Sequence, residues 1–122
     1  MSSAGSVTVS RHPLTLHKLT LLRYRRTDPR TFRALVRELT HILFYEATHD
    51  LKLTPATVQT PLAECGGHQI AERIGLMPIL RAGLGMTDSL LELMPSVRVW
   101  HLGLYRDHET LQPVTYYNKL PT

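Results

Sequence analysis

An α/β chain, with helices packed on a mainly parallel sheet and an antiparallel hairpin arm, is what three features of the sequence predict. Two apolar segments, Ile74 to Leu80 and Val97 to Tyr105, flank a segment of helical periodicity near Leu84 to Leu93. Strand, helix and strand in succession make a βαβ unit, whose strands run parallel with a right-handed crossover. Phe32, Leu35, Val36, Leu39, Ile42, Leu43 and Ala47 repeat with a helical period, which predicts a long helix to cover that sheet. Last, Val114 to Leu120 follows the polar turn Asp107-His108-Glu109-Thr110 and can fold back as the hairpin arm.

Taken in order, residues 1–10 read as a tail, with Val7-Thr8-Val9 as a short strand within it. Pro13 to Arg23 reads as a helix with Pro13 in its first turn. Leu14, His17 or Lys18, and Leu21 fall on one face, and Arg23-Tyr24-Arg25-Arg26 places positive charge at the negative end of the helix dipole. Thr27-Asp28-Pro29 is a start signal for the next helix, which runs to about Thr48. Arg30, Arg33 and Arg37 lie on its other side, expected as a solvated face. Ala56 to Thr60 reads as a strand ended by Pro61, Glu64 to His68 as a turn, and Gln69 to Glu72 as its exit. Ile74 to Leu80 is apolar on both faces, as in a strand buried within a parallel sheet.

Composition sets outer limits. At 122 residues and 43% hydrophobic, the chain is one domain or part of one, with a modest core. No run approaches the roughly 18–20 apolar residues of a membrane span, and Met1 to Ser6 lacks the basic and apolar regions of a secretory signal. Cys65 is the single cysteine, so neither a disulfide framework nor a thiolate metal cluster is expected, and a reducing cytoplasm fits. The seven histidines show no ligand spacing, and His12 and His17 are expected to serve the fold. A net charge of +4 with a pI near 9.6 favours anionic partners without choosing among them.

The sharpest local signal is the passage from strand to helix through Arg81-Ala82-Gly83-Leu84-Gly85. Amides at a helix start are expected to point outward unpaired, and the dipole adds positive potential. Arg81 and Arg106, at the ends of adjacent strands, would hold a polyanion such as diphosphate bidentately. Gly83 and Gly85 would let backbone approach phosphate closely. Asp88 and Glu92, four apart on the helix, read as a solvated face. The arginines from Arg23 to Arg37 offer a different reading, a nucleic-acid surface, but only Tyr24 interleaves to stack on bases, and nucleic acid is not the expected partner.

Seven strings carry a family resemblance: His12-Pro13-Leu14, His17 to Thr20, Tyr45 to Leu51, Pro78 to Met86, Gly103 to Asp107, Glu109-Thr110-Leu111, and Tyr116 to Pro121. Together they resemble the N-terminal portion of the uracil phosphoribosyltransferases, members of the type I phosphoribosyltransferase fold. The resemblance implies transfer of phosphoribosyl from 5-phosphoribosyl 1-diphosphate (PRPP) to uracil, giving UMP and diphosphate in pyrimidine salvage. It implies Mg²⁺ as an assistant and GTP as an allosteric effector in some members. It places Arg81, Ala82, Gly83 and Arg106 on the PRPP diphosphate, with Tyr117 and Lys119 in a flexible arm over it. It assigns no catalytic residue and no protein metal site here.

The sequence also departs from that family. No Thr-Gly-Gly loop for the ribose 5-phosphate and no Gly-Asp-Ala segment for uracil occurs. Residues 11–122 therefore read as an incomplete phosphoribosyltransferase domain, expected to bind uracil only when a C-terminal half is supplied and to make no UMP alone. The family's next strand would lie beside Ile74 to Leu80, so an unpaired apolar edge is expected, with self-association or pairing with a complementary chain. A non-catalytic fragment or subunit is the alternative reading.

Overall fold

The computed structural model describes residues 5–121. Two helices, α1 (Pro13–Arg23) and α2 (Pro29–Ala47), precede a hairpin of β1 (Leu53–Gln59) and β2 (Glu64–Ile70). Then come β3 (Gly75–Leu76), β4 (Ile79–Leu80), α3 (Leu84–Leu93), β5 (Arg98–Val99), β6 (Leu102–Arg106) and β7 (Pro113–Asn118). β3 pairs parallel with β5 and β4 parallel with β6, so α3 is the crossover of a βαβ unit. β7 returns antiparallel along β6, giving the order β4-β6-β7 and the α/β class that the sequence predicts.

The helix starts follow from their caps. His12 Nδ1 accepts from the Leu14 amide at 3.1 Å, so this histidine serves the fold. Asp28 Oδ2 accepts from the amides of Arg30 and Thr31, both at 3.2 Å. The core is small and lies between α2 and α3: Leu35, Leu39 and Leu90 are buried, together with Thr40, Thr87 and Ser89. Thr40 avoids an unpaired hydroxyl by donating to the Val36 carbonyl at 2.7 Å.

Several expectations are corrected. Val7-Thr8-Val9 forms no strand; Val7 and Val9 are exposed and no strand pairs with them. The first four residues of the expected tail lie outside the described residues. The inner side of α1 carries Thr15, Lys18 and Leu22, whereas Leu14 and Leu21 are exposed. Polar contacts set this rotation. Lys18 Nζ reaches Glu38 of α2 at 2.8 Å, and Ser10 Oγ, 3.0 Å from Thr15 Oγ1, donates to Glu46 at 2.8 Å.

Glu64 to His68, expected as a turn, lies inside β2, with Gly66 and Gly67 opposite Thr57 and Ala56. A ladder needs only backbone groups, so two glycines did not end it. The turn sits at residues 60–63, where the Thr60 amide donates to the Ala63 carbonyl at 2.9 Å.

The strand expected over Ile74 to Leu80 divides at Met77-Pro78, and its partner divides at Trp100-His101. Hydrogen bonds nonetheless continue at alternate residues: the amides of Arg98, Trp100 and Leu102 donate to the carbonyls of Ile74, Leu76 and Pro78 at 3.4, 2.9 and 3.1 Å. The expectation of burial on both faces fails, because Met77 and Ile79 are 47% and 49% exposed. Among the described residues no helix buries that face. Among the described residues β3 and β4 pair on one side only.

Candidate functional site

The loop between β4 and α3 turns back on itself. The Gly83 amide donates to the Ile79 carbonyl at 2.9 Å, Leu84 to Arg81 at 3.1 Å, and Gly85 to Ala82 at 3.4 Å. This corrects the expectation that the amides at the helix start are free, since those of residues 83–85 are used within the turn. The amides of Arg81 and Ala82 make no hydrogen bond among the described residues. Peptide planarity fixes the direction of the second. The Arg81 carbonyl points toward the Leu84 amide at the start of α3, and in this trans peptide the Ala82 N–H lies in the same plane pointing the opposite way, away from the helix. The Leu80–Arg81 peptide is cis.

Gly83 is required for a different reason from the one expected. Its φ of −63° suits any residue. A Cβ there would lie 2.8 Å from both the nitrogen and the oxygen of Ile79, so the close approach is to the chain's own backbone. Gly85 faces Val36, with 3.8 Å to the nearest methyl carbon from the place a Cβ would occupy.

Arg81 leaves the carboxyl end of β4, and Arg106 is the last residue of the adjacent parallel strand β6. Leu80 is in register with Gly103, so Arg106 stands three residues further along the sheet, roughly 10 Å. Both arginines are exposed, and neither is in an ion pair among the described residues. The neighbouring carboxylate is otherwise engaged. Asp107 Oδ1 accepts from the Thr110 amide at 2.8 Å, the Thr110 hydroxyl at 3.0 Å and the Glu109 amide at 3.0 Å. Those bonds, the Thr110 amide first, hold its carboxyl below the ordinary carboxylate value. They close the β6–β7 turn, and the carboxylate makes no ion pair with Arg106 among the described residues.

The arm residues lie elsewhere. Tyr117 pairs with Gly103, level with Leu80. Asn118 pairs with Leu102, so Lys119 follows at the amino end of β6, away from Arg106. A bulge between the Gly103–Tyr117 and Leu104–Thr115 pairs lays Tyr116 over Gly103, where a Cβ would meet its ring at 2.7 Å. The structure therefore brings Arg81, Ala82, Gly83 and Arg106 to one end of the sheet and leaves Lys119 at the other.

An open cleft of about 760 Å³, lined by Arg73, Arg98 and Trp100 among others, opens at the amino ends of β3 and β5, opposite the Arg81 loop. Ligands of parallel sheets bind at carboxyl ends, which favours the loop over the cleft. The arginine side of α2 is not wholly solvated, because Arg37 pairs with Glu92 of α3. Sequence reading passed over this pair, and over His41, whose Nε2 lies 2.8 Å from the Ser89 carbonyl oxygen. The only signal was their spacing, four apart on α2, which does not name a partner helix. No helix among the described residues is long and apolar enough to cross a membrane.

A family model described as uracil phosphoribosyltransferase matches residues 9–122. The uracil phosphoribosyltransferase of Roseiflexus sp. (strain RS-1) is 66% identical over 117 residues, covering 96% of this chain and 56% of that protein. The one from Alkaliphilus oremlandii (strain OhILAs) is 53% identical over 119 residues, 97% of this chain and 57% of that protein. The solved structure of the AQ2163 protein from Aquifex aeolicus matches with a TM-score of 0.85 and 36% identity, over 94% of this chain and 55% of that one. The chain spans about half the length of the curated relatives it matches. With the strand–turn–helix of Pro78 to Met86 folded as described and the family match running through it, the chain belongs to the uracil phosphoribosyltransferase family.

Proposed function

We propose that these residues form the diphosphate side of a site that transfers phosphoribosyl from PRPP to uracil, giving UMP and diphosphate. The observation that carries the reading is the loop at residues 81–83, closed on Ile79, with the Ala82 amide free of hydrogen bonds and Arg81 and Arg106 in no ion pair among the described residues. In such a transfer the ribose carbon 1 gains positive character while the leaving diphosphate gains negative charge. Donors fixed in advance around the leaving group stabilise that charge without reorganising. Arg81 and the Ala82 amide would meet one part of the diphosphate and Arg106 another, while Gly83 lets the loop close. Lys119 contributes less, because β7 carries it to the amino end of β6, and Tyr117 stops level with Leu80, short of Arg106. The ribose 5-phosphate loop and the uracil pocket would come from sequence outside these 122 residues.

The described residues contain no group of three or more His, Cys, Asp or Glu able to hold a metal ion. These side chains therefore do not fit a resident Mg²⁺. In this reading the ion arrives on the phosphate oxygens of PRPP as part of the substrate.

Calorimetric titration of diphosphate into wild type, Arg81→Ala and Arg106→Ala tests the proposal. Each arginine is expected to contribute about 1.5–3 kcal/mol, as a charge-assisted contact does. Lys119→Ala is expected to cost less than either. Equal affinity in wild type and Arg81→Ala would sink the assignment.

A further inference from the structure

We infer that His41 and Arg37 of α2 are positioning residues that aim the anion loop through α3. The inference rests on the diphosphate reading proposed above. Three contacts fix α3 on α2, at Gly85, Ser89 and Glu92, which share one face at helical spacing. At Gly85 the helices lie close, since a Cβ there would stand at ordinary contact distance, 3.8 Å, from Val36. At Ser89 the carbonyl oxygen can only accept, so His41 Nε2 carries the proton and donates across 2.8 Å. At Glu92 the partner is Arg37. Thr87, Ser89 and Leu90 are buried between these points.

The loop is tied to the first turn of this helix as well as to Ile79 of β4. The carbonyls of Arg81 and Ala82 are bonded to the amides of Leu84 and Gly85. A tilt of α3 therefore rotates the 81–82 peptide plane, and the Ala82 N–H with it. Hydrogen bonds to an anion weaken as angle and distance depart from the ideal, so small misplacements cost affinity. His41 is part-buried and should matter more than Arg37, whose ion pair is about half exposed on both sides.

Lys18 supplies the control. It lies on α1 and pairs with Glu38 of the same α2 at 2.8 Å, and among the described residues it makes no ion pair or side-chain hydrogen bond with α3. Diphosphate is titrated calorimetrically into the full chain as wild type, His41→Ala, His41→Gln, Arg37→Ala and Lys18→Ala. His41→Ala should weaken binding about three- to tenfold, and Arg37→Ala less. His41→Gln, which keeps an N–H donor, should recover most of the loss, and Lys18→Ala should bind as wild type does. Amide exchange at Leu84 and Gly85, read without ligand, should quicken in His41→Ala and not in Lys18→Ala. The inference is overturned if Lys18→Ala weakens diphosphate as much as His41→Ala, or if exchange at Leu84 and Gly85 does not change. Wild-type affinity in His41→Ala, with affinity lost in Arg81→Ala, overturns the positioning role and leaves the diphosphate reading standing. No binding by wild type overturns both.

Discussion

The β1–β2 hairpin and the α2–α3 pair hold themselves together in opposite ways. The hairpin pairs seven residues with seven, from Leu53 with Ile70 to Gln59 with Glu64, yet only Ala56 and Gly67 within its strands are even half-buried. Leu62 at its tip is 98% exposed. The helix pair has no ladder between its members but contains Leu35, Leu39 and Leu90, the buried apolar side chains of the described core. A two-stranded hairpin without a covered face is marginal in water. The difference shows which part of the chain can fix a functional group in place. The Arg81 loop grows from the region that has a core, and charge stabilisation by fixed donors needs that rigidity.

The largest test of this contrast is a matched pair of truncations. Leu39→Ala should cost about 2–5 kcal/mol, because it removes methyl groups from the buried layer of α2 and leaves a cavity. Val58→Ala, on the half-exposed surface of β1, should stay within about 0.5 kcal/mol of wild type. Urea unfolding followed by circular dichroism measures both. Similar losses would mean that the hairpin is covered in solution and that the contrast fails.

Two glycines sharpen it at a smaller scale. Gly83→Ala would push a methyl group into the Ile79 backbone at 2.8 Å and should cost about 1–3 kcal/mol, with diphosphate affinity lost as the loop opens. Gly66→Ala in β2 meets nothing within 4 Å and needs no left-handed backbone, so it should stabilise by about 0.4–1 kcal/mol. Thermal melting of the two variants gives the comparison. A tolerated Gly83→Ala would show that the loop does not close on Ile79 in solution.

Legibility in the sequence divides along the same line. Pro13, Asp28-Pro29 and the Leu84–Leu93 periodicity mark helix starts and spans that the structure reproduces, because caps and apolar periods are local. β2 was not legible, since a ladder of exposed backbone leaves no side-chain pattern and Gly66-Gly67 imitates a turn. The rotation of α1 was not legible either, because Lys18 and Ser10 choose it through partners on another helix. At the site, the string Pro78 to Met86 announced strand, turn and helix. Which amides stay free depends on turn bonds that spacing does not disclose. The His41 contact joins residues 48 apart, and no local motif encodes it.

The smallest effect expected is a pH dependence confined to two turns, and it separates the β6–β7 arm from the β1–β2 hairpin. Asp107 in the arm and Asp28 at the start of α2 both have carboxyls held below the ordinary value of 3.8. For Asp28 the leading cause is the Thr31 hydroxyl, followed by the Thr31 amide. A folded-state value below the unfolded one means that the unfolded chain binds the proton more readily. The stability each group contributes is therefore complete above the ordinary carboxylate value and is lost as pH falls through the lower folded value. The β1–β2 turn is closed by the Thr60 hydroxyl, which accepts from the Ala63 amide at 3.1 Å and does not titrate. Between about pH 5 and about pH 2, the Thr110 amide resonance should move toward its unfolded position before the Ala63 amide does. Asp107→Asn keeps an acceptor without a titrating group, so it should flatten the Thr110 response and leave the Thr31 response at α2 intact. An unchanged Thr110 titration in that variant would mean that the arm is closed by something other than the Asp107 carboxylate.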